Sequence, residues 1–206
     1  GSKISPMAEK QKVGIKIMKI YDINPNNSSF KIIAWINIKH KHLTPNPMDQ
    51  IEFADAIHQK KDFSTTTKTV NGEYISEAKF NVEISHHFNL KKFPLDSHDL
   101  IINIENSLNP KLKLVYTLYN QKKGATLLQP NSIESGWIVK KTSVVVNANA
   151  YDNLLTPRQD DKTLYSRIQI ILNIKRLGLR AFFSVFTTLY LSFFLFWLAL
   201  ALPITK

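Results

Sequence analysis

The sequence predicts an all-β domain, an Ig-like two-sheet β-sandwich of about eight to ten strands, followed by one C-terminal transmembrane α-helix. Three observations lead there. Apolar residues recur with a period of two from Val13 to Ile174. No stretch before residue 177 keeps a 3.6-residue period over three turns. Ala181–Leu202 is a run of 22 residues without a charge. The chain divides accordingly into an N-terminal lead-in (1–12, with Gly1-Ser2 reading as a tag-cleavage scar), a β-sandwich (13–176) and a membrane helix (177–204).

Val13, Ile15 and Ile17 alternate with Gly14, Lys16 and Met18, and Ile32, Ala34, Ile36 and Ile38 share one face of the next run. Between them Asn24-Pro25-Asn26-Asn27-Ser28 supplies turn formers in succession, which predicts a hairpin. Asn71-Gly72 predicts a tight turn before a strand over 78–90, where Ala78, Phe80, Val82, Ile84, Phe88 and Leu90 hold one phase. Alternation returns at Leu100–Ile104, at Leu112–Leu118 and at Ile168–Ile174, and residues 137–148 are rich in Trp, Val and Ile. The last strand runs through Lys175-Arg176 into the helix with no Gly/Ser slack, a stiff joint rather than a tether. The apolar run itself has no polar face; as a helix it measures roughly 33 Å, against a hydrocarbon core of about 30 Å.

The composition narrows the chemistry. Of 206 residues none is Cys, which excludes disulfides, thiolate metal sites and cysteine nucleophiles. The net charge of +11 is spread as dibasic pairs at turns (60–61, 91–92, 122–123, 140–141), not gathered on one face as nucleic-acid binding requires. HExxH, P-loop and GxGxxG patterns are absent. Ser97-His98-Asp99 has the letters of a hydrolytic triad, but consecutive residues cannot form that arrangement. His40 and His42 share a face if their strand continues that far, without a third ligand. Neither an enzyme, a cofactor nor a metal is expected.

Residues 86–100, HHFNLKKFPLDSHDL, carry a resemblance. Their Phe93-Pro94-Leu95-Asp96 core resembles the signature loop of the pentameric ligand-gated ion channels, whose two loop-closing cysteines fall here on His86 and Leu100. Bacterial members are similar in lacking that disulfide. The opening strands, Trp35 on the second of them, Ile51–Ile57, and the basic pair before the helix agree in order and spacing. Independently of any family, Pro94 fixes its own φ and pushes Phe93 towards an extended conformation, while Asp96 can accept backbone hydrogen bonds in a tight turn.

The resemblance implies a ligand-sensing domain, extracellular or periplasmic, of a bacterial homopentamer in the inner membrane. Motion would pass through Phe93, Pro94, Asp96 and Arg176 to the helix. It also implies an aromatic ligand site between subunits, for which Phe53, Tyr116, Tyr119, Tyr151 and Tyr165 stand on the expected loops and Trp35 on the complementary face; the ligand itself is not legible. The 151–165 loop is long, polar and proline-containing, as a capping loop would be. Lys91-Lys92 would lie beside anionic headgroups, making membrane lipid a partner. The alternative is a membrane-anchored β-sandwich interaction module without channel activity. Charge flanking the helix favours a cytoplasmic domain, yet large domains translocate largely regardless of charge, so orientation stays open on the residues alone.

Overall fold

The computed structural model describes residues 8–108, 114–119, 127–151 and 163–201, with the side chains of 179–181, 184, 185 and 201 excepted. The expected capping loop, the Lys122-Lys123 pair, Leu112 and the end of the apolar run lie outside the described residues. Nine strands are present among those described, in two sheets, and the chain ends in a helix.

The five-stranded sheet runs β4 (Ala56–Lys68), β5 (Tyr74–Ser85), β2 (Ser29–His40), β1 (Glu9–Asn24), β7 (Leu114–Leu118). The four-stranded sheet runs β3 (Ile51–Phe53), β6 (Ser97–Asn106), β9 (Thr163–Arg176), β8 (Trp137–Tyr151). Every pairing is antiparallel except β1 with β7. One face of each sheet supplies the core, as period-two patterning requires. Ile17, Ile32, Ala34, Ile36, Ile38, Ala78 and Val82 from the first sheet, and Leu100, Ile102, Ile168, Ile170, Leu172 and Ile174 from the second, are fully buried. Phe53 of β3 packs on Phe80 of β5 with ring centroids 5.6 Å apart, joining the layers.

Both expected turns form. β1 and β2 pair through the Asn24–Ser29 hairpin. Gly72 takes φ +79° in the β4–β5 connection, a left-handed conformation that glycine adopts without steric cost. Register shifts between Ile17 and Lys19 and again between Tyr21 and Asn24 each move β1's apolar phase by one residue, so that Ile20 and then Ile23 join Ile17 on the core side.

Two expectations change, and one strand is present that the sequence does not announce. The strand over 78–90 ends at Ser85: His86 N–H turns to the Ser28 carbonyl at 2.8 Å, and residues 90–92 form a 3₁₀ turn that leaves Leu90 42% exposed. His40 and His42 do not share a strand face, since β2 ends at His40, whose buried ring contacts the His42 carbonyl (2.6 Å) and Ser76 Oγ (2.8 Å). Finally β4, which the sequence does not announce, is a mostly exposed edge strand whose AIHQKKDFSTTTK has no apolar alternation. Its order comes from backbone pairing to β5, and its charges suit an unpaired outer edge.

The helix α1 spans Gly178–Ala201, one residue beyond the end of β9. Its described large side chains from Leu189 to Leu200 lie between 46% and 71% exposed. Among the described residues no helix is long and apolar enough to cross a membrane; within α1 the unbroken run of described side chains is 186–200.

Candidate functional site at the strand–helix joint

Three connections converge where β9 meets α1. The first is the β1–β2 turn, tied to His86 through Ser28. The second is the segment before β8, where Glu134 accepts from the Asp22 and Ile23 amides at 2.8 and 2.9 Å, and the Gly136 carbonyl accepts from Leu177 N–H at 2.8 Å. The third is the 86–96 loop. Its turn is closed by Phe93 N–H to the Leu90 carbonyl (3.0 Å) and Leu95 N–H to the Lys92 carbonyl (2.7 Å), and its Phe93–Pro94 peptide is cis.

That loop seats on the first residue of α1. A Cβ added to Gly178 would fall 2.7 Å from the Pro94 carbonyl oxygen and 2.3 Å from Leu95 Cδ2, distances real Cβ atoms do not tolerate. Glycine is therefore what allows the proline loop to touch the helix start.

Asp96 locks the contact. Its carboxylate, 1% exposed, accepts from Arg176 Nε at 2.7 Å and Nη2 at 3.1 Å, and lies 2.7 Å from His98 Nε2. Its backbone carbonyl also accepts from Arg176 N–H at 3.0 Å. Burial by itself would raise the Asp96 pKa, but the hydrogen bonds from Arg176 and His98 outweigh it and hold the carboxyl below the ordinary carboxylate value. The Arg176 guanidinium stands 4.1 Å from the Trp137 ring centre and 5.1 Å from that of Phe93, two cation–π contacts. Behind it, ring contacts run from Trp137 through His98 and Phe88 to His86. Burial, and secondarily the neighbouring His98 and His87, push the His86 pKa down.

Phe93, Pro94, Asp96 and Arg176 are thus brought together. Sequence reasoning missed Phe88, His98, Trp137 and Gly178. Trp137 is the cross-strand partner of Arg176, so the signal was there only for a reader who already held the β8–β9 register.

The six aromatic positions do not form one site within the chain. Phe53 and Tyr116 are 2% and 1% exposed, and their rings are spent in the core, so neither presents a face to a ligand here. Burial raises the Tyr116 pKa accordingly. Tyr151 and Tyr165 meet edge to face at 5.6 Å on the four-stranded sheet. There the Tyr151 hydroxyl donates to Glu105 at 2.8 Å and accepts from Arg167 at 3.2 Å, while Arg167 also pairs with Glu105. Burial, then the Glu105 contact, raises the Tyr151 pKa. Trp35 and Tyr119 line a hollow on the outer face of the other sheet, with Trp35 tilted against Phe63 of β4 at 5.6 Å.

Neither a family model nor a curated protein matches the chain. The geometry of the joint and of the aromatic faces is therefore what bears on function.

Proposed function

We propose that the chain is the ligand-sensing domain and first membrane helix of a bacterial protein resembling the pentameric ligand-gated ion channels. Its sandwich would be periplasmic and its helix would cross the inner membrane. The reading is carried by one observation: a proline loop seated on the first residue of a helix, with its aspartate clamped to the arginine that ends the preceding strand. A tether needs none of this. A joint that transmits displacement needs all of it, because one free residue between β9 and α1 leaves no slack to absorb a shift.

The membrane assignment draws on the uncharged run 181–202 of the sequence and on the length of α1, 24 residues or about 36 Å at 1.5 Å per residue, set against a hydrocarbon core of about 30 Å. Its described apolar side chains face outwards, which is costly in water and favourable in lipid. Ser192 and Thr187 turn their hydroxyls to carbonyls one turn back in α1, leaving no polar group facing lipid at those positions.

Native mass measurement of the protein in lipid nanodiscs tests the assembly. Five subunits are the expected result. A monomer would leave only an anchored sandwich, the interaction module without gating.

A further inference from the structure

The hollow on the outer face of the five-stranded sheet is built around a missing side chain. Along β1 the outward row reads Lys12, Gly14, Lys16, and the glycine leaves a gap in the middle of it. A Cβ placed on Gly14 would meet only Asn37, at 3.9 Å, so the space above the strand is open. Trp35, Met18, Ile75 and Tyr119 stand around it, and the hollow holds about 690 Å³, within the range of small-molecule sites of roughly 300–1,000 Å³.

Its charge is predominantly positive. Three lysines reach the hollow, Lys12, Lys16 and Lys39, against one carboxylate, Glu77. Glu77 accepts a hydrogen bond from Asn37 at 2.8 Å, and Lys39 is paired with Glu73. Lys12 and Lys16 have no ion pair among the described residues. Lys16 is the cross-strand partner of Trp35, and Lys12 that of Lys39, so these lysines leave the sheet next to the indole and next to one another. Glu73, paired with Lys39 and within electrostatic reach of Lys12, offsets the repulsion between those two, which leaves Lys16 as a cation with no carboxylate partner among the described residues; an anion over Gly14 supplies one.

We infer that this hollow binds an amphipathic anion, an aromatic or short aliphatic carboxylate. Its apolar body lies over Gly14 against Trp35, Met18 and Tyr119, and its carboxylate is held by Lys12 and Lys16. The inference deepens the ligand-sensing reading and rests on it for its biological meaning, but binding does not require a particular number of subunits. It also reverses the ligand charge that cation–π recognition by aromatic residues would suggest.

The test uses the full chain in lipid nanodiscs, with 4-fluorophenylacetate and the 4-fluorophenethylammonium ion as paired probes followed by ¹⁹F NMR against empty nanodiscs. The expected result is saturable binding of the carboxylate, with the ammonium probe at least about tenfold weaker. Gly14→Leu has room for its Cβ, which meets nothing closer than 3.9 Å, places the rest of its side chain in the gap and abolishes binding. Lys12→Glu/Lys16→Glu weakens the carboxylate by more than about tenfold and leaves the melting temperature unchanged within a degree or two. Equal or tighter binding of the ammonium ion overturns the inference, as does a Gly14→Leu protein that binds normally. So does a wild type that binds neither probe while the double lysine variant changes subunit number, since the hollow is then a contact between copies. Subunit number read on the same samples judges the pentamer separately. A pentamer that ignores the carboxylate sinks only the anion site, and a monomer that binds it sinks only the pentamer.

Discussion

Replacing Asp96 by alanine should be among the most damaging single changes in the domain. The carboxylate is buried and serves Arg176 twice and His98 once. Removing one partner of a buried ion pair costs about 3–5 kcal/mol, because the other charge stays behind without compensation. Here Arg176 retains 16% side-chain exposure and the faces of Trp137 and Phe93, which places the expected loss near the lower end, about 3 kcal/mol. For a domain of 150–250 residues each kcal/mol moves the midpoint by about 2–4 °C, so a drop of about 6–12 °C is expected. Near-UV circular dichroism of Trp137 and its neighbours reports the melt. Asp96→Ala/Arg176→Ala should cost less than the sum of the single changes, since the second substitution removes the orphaned charge. The reasoning fails if Asp96→Ala costs under about 1 kcal/mol, or if the two changes add.

Other expectations follow from the same geometry. The folded Asp96 pKa is depressed, so its stabilisation is complete above the ordinary value of 3.8 and is lost as pH falls through the lower folded value; acid unfolding of wild type should steepen below about pH 4, and Asp96→Ala should lack that limb. His86, held neutral by burial, binds its proton later in the folded than in the unfolded chain, so stability should decline as pH drops below 6.5, and His86→Gln should flatten that slope in urea titrations at pH 7 and 5.5. Gly178→Ala gains up to about 1 kcal/mol of helix propensity but drives its methyl into the Pro94 carbonyl; faster tryptic cleavage at Lys91-Lys92 should reveal the displaced loop, while Gly14→Ala is cut like wild type. Phe80→Ala should lose about 3–5 kcal/mol in chemical denaturation, since its ring joins the two layers through Phe53.

The sandwich was legible wherever burial is one-sided. Ile32 to Ile38 and Ile168 to Ile174 announce their strands because one face is buried and the other wet, and that contrast is what periodicity measures. β4 was silent for the opposite reason: an edge strand with hardly any buried face leaves no pattern in its side chains, and its order resides in backbone bonds to β5. At the joint, Phe93 to Asp96 and Arg176 could be named from local motif and position. Trp137 and Gly178 could not, since their roles come from contacts 39 positions away at Arg176 and 84 positions away at Pro94. His98 is only two residues from Asp96, but its ring packs on Trp137, 39 positions on. The aromatic positions show the same limit. A tyrosine in this stretch reads alike whether it faces solvent, as Tyr119 does at 64% exposure just past the end of β7, or fills the core, as Tyr116 does at 1% within it.

A charged clamp at this place needs a physical reason, because an apolar contact of equal volume would often be as stable. The difference lies in how steeply each resists displacement. Dispersion between aliphatic groups changes slowly as surfaces slide, and a shift of an ångström exchanges one set of contacts for another. The Asp96–Arg176 contact has two side-chain hydrogen bonds and a backbone bond acting in different directions, and its geometry fails abruptly when either element moves. Below it, the Pro94 carbonyl leaves no room for any side chain at residue 178, so the loop cannot approach further. The joint therefore resists both separation and compression, which are the two properties a displacement needs if it is to travel from strand to helix undiminished. Arg176→Lys isolates this argument. It keeps the charge but loses the planar fork and most of the stacking on Trp137, so stability should fall only modestly while the loop's exchange protection at Leu95 and Arg176 amides collapses. Hydrogen exchange that stays as slow as in wild type would mean that charge alone holds the joint, and that its stiffness has another source.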